Sequence, residues 1–403
     1  MWITSDDGFA ARQLAASVLT AHPKDALAAN SELRKLLPGL ATEHYASALD
    51  QAQLGHLAID RYGIDASLLL LTRDGLEQAT RPAVAQLRAQ ALVASGAKIV
   101  LDLSAGLGFD VRAFLQADLE VIAIERDPVT AAYLRVNAPG AEVIEGDSLA
   151  LIDALLSRLA PSDVVFVDPA RRSGRRTLDG SRAHPERDPE RWSPPWSFVV
   201  GLAARNVRVC AKVAPGFSPI HLPAGWSGTW TTVNRDAVEA MLCSWTEGPS
   251  RSARMIEDSA LQKTVFDFRG GGNSEHRSAP IGAHLYEPDQ SLINAQLLDD
   301  FCLVDTALQR VDSTSTWLTS DVTIEHPMLR GFEIETQLPN DTKALRKALI
   351  ALGVGDVTIK CRGMNLSADQ LRKELKLPAG TSATIVIATA AGSRVTLLVH
   401  HHS

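Results

Sequence analysis

Cysteine is scarce in this chain: four residues in 403, at Cys210, Cys243, Cys302 and Cys361, with no pair spaced like zinc ligands or a redox dithiol. That scatter argues against a disulfide scaffold or a zinc module and fits a reducing, cytoplasmic setting. Long apolar runs are missing too. Stretches such as residues 68–71 fall far short of a bilayer span, so no membrane partner is expected. The opening MWITSDDGF has acids where a secretory signal needs basic residues. Positive charge is not in excess: the net charge of −7 rules out indiscriminate coating of nucleic acid. Repeats and low-complexity tracts are absent, the closing HHHS is given no metal role, and no feature specifies an oligomeric state.

What is present is a globular composition, 45% apolar and 22% charged, in a chain long enough for two or three domains. Charge is segregated along it. The first 80 residues hold ten acids and six bases. Between Arg171 and Arg191 there are seven arginines against four acids, and between Asn340 and His400 nine lysines or arginines against four acids. Such segregation suits a protein that grips a polyanion on one side, although a solvated surface would read the same way.

Three regions follow from the texture: a helical region over 1–80, an α/β domain over 81–268 and an α+β domain over 280–400, the last two separated by the RGGGNSEH linker that begins at Arg269. Leu33, Leu36 and Leu37, then Leu49, Leu54 and Leu57, recur at helical spacing in the first. From Lys98 the runs KIVLDLSA, EVIAIERD, AEVIEGD, DVVFVDPA and NVRVCAKVAP read as five strands. They lack polar alternation, so they belong to a parallel sheet covered on both faces. GTWTTVNR and EAMLCSWTE read as an edge hairpin turning at Asp236–Val238, and 254–268 as a further β pair. A helix is expected over 289–301 and another over 368–375, between the runs VTIKCRG and ATIVIATAA.

The first strand runs into DLSAGLGFD. Gly106 and Gly108 let backbone amides approach a ligand closely at the opening of a helix, while Asp102 stands just before the turn. Glu125, Asp147 and Asp168 end the next three strands. One such acid can be a helix cap; four at successive strand ends point to a ligand in the strand-end crevice. A dinucleotide fingerprint would need a glycine at Val111, and an acid before the loop suits an amine better than a pyrophosphate. S-adenosyl-L-methionine offers an ammonium, a carboxylate and a ribose, and no phosphate.

At this point the sequence resembles the class I S-adenosylmethionine-dependent methyltransferases, over roughly residues 80–250. The resemblance implies a Rossmann-like, seven-stranded methyltransferase sheet. It implies that Asp102 and the loop of Ser104, Ala105, Gly106 and Gly108 hold the methionine part, that Glu125 holds the ribose and that Asp147 faces the adenine, with Arg126 and Ser148 also at the cofactor. LEQATRPAVAQLRAQAL, DPARRSGRRTLDG, KVAPG, YEPDQSLINAQLL, WLTSD and IKCRG are similar to a bacterial methyltransferase family with a C-terminal THUMP-like domain. THUMP domains proper bind RNA, so this narrower resemblance implies an RNA substrate. By its place in that fold, EQAT puts Gln78 and Thr80 over the methionine end, unless Thr80 caps the helix that continues through Pro82.

Asp168-Pro169 stands where amino-methylating enzymes carry Asp/Asn-Pro-Pro-Tyr/Phe, so Asp168 and Pro169 are expected to position the acceptor for in-line transfer. Ala170 and Arg171 replace the second proline and the stacking aromatic. Asp-Pro-Ala-Arg is also similar to the Asp-Pro-Pro-Arg run of the uracil-5 methyltransferases, but their cysteine context is absent and Cys210 reads as a buried thiol inside a strand. Arg171 is placed at the catalytic corner, or paired with Asp168. Arg172, Arg175 and Arg176 are expected to clamp an RNA backbone, and Trp192 and Trp196 to stack on a base or pack against the sheet. The reading is thus a methyltransferase of RNA. An RNA-binding module with a relict cofactor site, and a methyltransferase of a small molecule or a protein, are the alternatives.

Overall fold

Local caps and apolar spacing set the amino-terminal helices. Ser5 accepts from the Gly8 amide to start α1 (Asp6–Ala21), and Asp25 accepts from the Ala28 amide to start α2 (Ala26–Leu36). Then come α3 (Thr42–Tyr62), α4 (Arg73–Gln78) and α5 (Pro82–Ala94). Ala11, Ala15, Leu33, Tyr45 and Ala48 form the apolar seam among the first three. In this computed structural model the described residues are 1–63, 68–170, 186, 188–246, 248–259, 262–362 and 366–402. The chain divides into two compact units, Met1–Lys212 and Val213–Ser403. The expected boundary near 268–280 falls inside the second.

The five expected strands all form: β1 (Ile99–Asp102), β2 (Glu120–Glu125), β3 (Glu142–Glu145), β4 (Val164–Val167) and β5 (Arg208–Val213). They are parallel, in the order β3-β2-β1-β4-β5. All four residues of β4 are buried, as a strand covered on both faces requires. The covering helices are α6 (Phe109–Gln116), α7 (Pro128–Asn137), α8 (Ser148–Leu156) and α9 (Trp196–Ala203). Since β1 has β2 on one side and β4 on the other, the strand order reverses between β1 and β4, and the crevice of such sheets opens at that point.

The seven-stranded sheet does not appear; among the described residues this sheet has nine strands. In the second unit it contains β6 (Ser227–Val233), β7 (Asp236–Cys243), β8 (Arg251–Asp258) and β9 (Lys263–Gly270). The extra length comes from β8 and β9, which pair continuously from Arg251↔Gly270 to Asp258↔Lys263. The β6–β7 turn lies at Asn234-Arg235 rather than at 236–238, because both residues take left-handed φ, 51° and 69°, the geometry of a tight hairpin turn. The helix expected over 289–301 is two, α10 (Gln290–Asn294) and α11 (Leu298–Val304), interrupted where Gln296 takes φ 53°. A second sheet in this unit holds β10 (His284–Pro288), β11 (Gln309–Arg310), β12 (Leu318–Ser320), β13 (Leu329–Leu338), β14 (Val354–Cys361), β15 (Thr381–Ala390) and β16 (Ser393–His401). α12 (Thr342–Ala351) and α13 (Ala368–Leu375) lay Leu345, Leu349, Leu371 and Leu375 against its apolar face. Among the described residues no helix is long and apolar enough to cross a membrane.

Candidate active site

Parallel strands end at one edge, so acids placed after successive strands converge there. Asp102, the last residue of β1, is 1% exposed, and its Oδ1 accepts from the Ser104 amide at 2.9 Å. Burial, reinforced by the charges of Asp168 and Glu125, pushes its carboxyl up from 3.8 to about 7, against the pull of the Ser104 N–H and the Lys212 ammonium. A cation beside it would favour the ionised form.

The turn that follows is built for close approach. Gly106 has φ 54°, and a Cβ there would point into space with no atom within 4 Å. Gly108 has φ 85°, and a Cβ there would meet Leu134 Cδ1 at 2.5 Å, so a side chain is excluded twice over. The Ala105 amide donates to the Ile124 carbonyl at 3.0 Å and fastens the turn to β2. Glu125 accepts from the Gly106 amide (3.0 Å) and the Asp127 amide (2.7 Å), which fixes its carboxylate at the mouth of the turn with lone pairs to spare. Arg126 is exposed beside it. Asp147 is exposed and caps α8 through the Leu149 amide at 2.9 Å, with Ser148 the first residue of that helix. The buried carboxyl, the open turn and the held carboxylate fit a ligand with an ammonium and vicinal hydroxyls.

Asp168 follows β4. Its amide donates to Ser104 Oγ at 2.7 Å, so the Asp-Pro corner and the glycine turn are one piece. Its Oδ2 receives Lys212 Nζ at 2.6 Å. Pro169 is buried, and Ala170 then exchanges both backbone hydrogen bonds with Ser193 (2.8 and 3.1 Å). Arg171, Arg172, Arg175 and Arg176 lie outside the described residues. Trp192 and Trp196 are 6% and 9% exposed and pack edge to face with centroids 6.3 Å apart; the Trp192 indole N–H donates to the Glu186 carbonyl at 3.1 Å. Burial makes them part of the packing rather than an open stacking surface. Cys210 is fully buried within β5.

Gln78 is exposed at the end of α4. Thr80 does not cap α5: the cap position falls at Arg81, and the Thr80 hydroxyl is used elsewhere. It donates to Asp110 Oδ2 at 2.6 Å and accepts from Lys212 Nζ at 3.0 Å, while Arg88, 1% exposed, pairs with the other oxygen of Asp110. The sequence reading missed Lys212, Asp110 and Arg88 as functional residues. One signal for Lys212 was available: a lysine inside a buried strand, RVCAKV, must find a partner at the strand end.

Residues 329–401 match the model of a family described as THUMP domain-like. Uncharacterized S-adenosylmethionine-dependent methyltransferases from two strains of Mycobacterium tuberculosis are each 29% identical over 332 residues, covering 80% of this chain and 86% of theirs. A crystal structure of a Porphyromonas gingivalis W83 protein assigned as a methyltransferase superposes with a TM-score of 0.74 at 21% identity, covering 99% of each chain, so the fold is shared along the whole length. The chain is therefore a homologue of S-adenosylmethionine-dependent methyltransferases with a THUMP-like domain at its C-terminus, as its motifs implied.

Proposed function

We propose that this chain transfers a methyl group from S-adenosylmethionine to a nucleotide of RNA, with Asp168 holding the acceptor. The observation that carries the reading is the 2.7 Å hydrogen bond from the Asp168 amide to Ser104 Oγ, because it makes the corner for the acceptor and the turn for the donor a single rigid unit. When bound, S-adenosylmethionine supplies an electrophilic methyl on a sulfonium. Asp102 meets the ammonium, the 104–108 turn lies along the methionine part, Glu125 accepts the ribose hydroxyls and Asp147 faces the adenine. Asp168 Oδ1, which has no partner among the described residues, orients the acceptor, and alignment within attacking distance supplies much of the rate.

RNA is favoured by the second unit. Arg330, Lys360 and Arg362, all within the residues that match the THUMP-like model, gather around buried Glu287 of β10 at 3.5, 2.8 and 3.0 Å, three cations to one acid. The arginine-rich segment after Ala170 adds charge suited to phosphate. Calorimetric titration with S-adenosylmethionine tests the donor site: binding by the wild type and its loss in Asp102→Ala and Glu125→Ala are expected, and equal binding by all three would overturn the assignment. Mass spectrometry of nucleosides from cells with and without the protein tests the substrate. A methylated nucleoside present only with the protein is expected, and identical profiles would refute RNA.

A further inference from the structure

We infer that the atom methylated is a hydroxyl oxygen of the RNA ribose, and that Lys212 sets this choice; the inference rests on the methyltransferase reading above. Lys212 is the fifth residue of β5, and the register Val167↔Ala211 brings it beside Asp168. Its side chain is 13% exposed, with Nζ 2.6 Å from Asp168 Oδ2 and 3.0 Å from Thr80 Oγ1. Thr80 has one hydroxyl proton and gives it to Asp110 at 2.6 Å, so toward Lys212 it can only accept. Asp110 is held in turn by Arg88. Two of the three ammonium hydrogens are thereby fixed, and the third is uncommitted among the described residues.

Among the described residues the corner thus presents a free carboxylate oxygen and a free ammonium hydrogen side by side. A hydroxyl complements that pair. Its proton donates to Asp168 Oδ1, one lone pair accepts from Lys212, and a second lone pair remains to attack. An exocyclic amine has a single lone pair, which the attack consumes, so nothing remains on the nitrogen to accept from Lys212. In the step itself the acceptor oxygen forms the new O–C bond as the C–S bond breaks and its electron pair returns to sulfur, leaving a neutral thioether. The hydroxyl proton, strongly acidic once the O–C bond forms, passes to Asp168 and then to water. Lys212 keeps its charge throughout. In RNA the hydroxyl that each nucleotide within the chain offers is the ribose 2′-OH.

The test uses the full-length protein, methyl-labelled S-adenosylmethionine and RNA from cells lacking the protein, followed by digestion to nucleosides and fragmentation. The label is expected to leave with the ribose; label retained on a base nitrogen or carbon overturns the inference while leaving the methyltransferase reading intact. Lys212→Met should lower kcat on the order of a hundredfold with KM for RNA little changed, and Lys212→Arg should recover part of the loss. Calorimetry should show both variants still binding S-adenosylmethionine, Lys212→Arg like the wild type and Lys212→Met more weakly, because the lysine charge also favours the ionised form of Asp102. Unchanged turnover in Lys212→Met overturns the role of the lysine. A wild type that binds S-adenosylmethionine but labels no RNA refutes the RNA substrate and this inference with it, and one that does not bind refutes the donor site itself.

Discussion

Asp102→Asn should make the protein more stable while depriving it of its donor. The substitution keeps volume and keeps an oxygen to accept from the Ser104 amide, at present 2.9 Å from the carboxylate. What it removes is a buried charge. The carboxyl is pushed up from 3.8 to about 7, so the folded state binds the proton more tightly than the unfolded state. The stability contributed by that protonated form is therefore lost as pH rises from the unfolded value through the folded one. At about 1.4 kcal/mol per unit, the whole interval corresponds to about 4 kcal/mol, and the part between pH 5 and neutrality to about 3 kcal/mol. Urea unfolding of wild type and variant at pH 5 and pH 8 should show the variant gaining about 3 kcal/mol on the wild type between the two conditions. Calorimetry should show S-adenosylmethionine binding lost in the same variant. A stability gap that does not change with pH, or a variant less stable at pH 8, would refute the reasoning, because either result means that the carboxyl is already compensated without a ligand.

Other outcomes follow from the same geometry. Asp168→Ala should abolish turnover with donor affinity retained, checked by calorimetry beside a methyl-incorporation assay. Arg88→Met strands Asp110 in the interior and should cost roughly 3–5 kcal/mol in unfolding free energy. Gly108→Ala forces a Cβ against Leu134 at a left-handed φ, whereas Gly106→Ala meets open space and suffers only the strain of its own left-handed φ, so both should lower thermal stability and Gly108→Ala should lower it more. Around Glu287, burial opposes ionisation, but the Lys360 hydrogen bond and the charges of Arg362, Lys360 and Arg330 outweigh it and hold the carboxyl below 4.5. That contribution is present above the ordinary carboxylate value and is lost as pH falls through the folded one, so Glu287→Gln should flatten the acid limb of a thermal-melting profile. RNA binding, followed by anisotropy, should weaken steeply with salt, and a shallow slope would point to a compact substrate.

Strand positions in the first unit were legible because a parallel sheet buried on both faces leaves unbroken apolar runs, and because each run ended in an acid or a glycine turn. Asp102, Gly106, Gly108, Glu125 and Asp168 could be read for that reason. Lys212, Thr80, Asp110 and Arg88 could not be read as a group, because they come from three separate segments and meet only when α5, α6 and β5 pack. Each alone looks like an ordinary polar residue near a helix or strand end. The hairpin turn was misplaced because an arginine at left-handed φ is uncommon and Asn234-Arg235 lacks the glycine that marks such turns. Gln296 hid the break between α10 and α11 in the same way. The tryptophans were ambiguous because an aromatic beside arginines suits stacking and packing equally, and only burial separates the two.

The ladder between Ala170 and Ser193 closes the polypeptide on itself immediately beyond Pro169. Entry and exit of residues 171–192 are therefore neighbours, fastened to each other by two backbone hydrogen bonds that do not depend on the intervening sequence. The position of Asp168 is thus held from two sides, by this ladder just beyond it and by the Ser104 hydroxyl at its own amide.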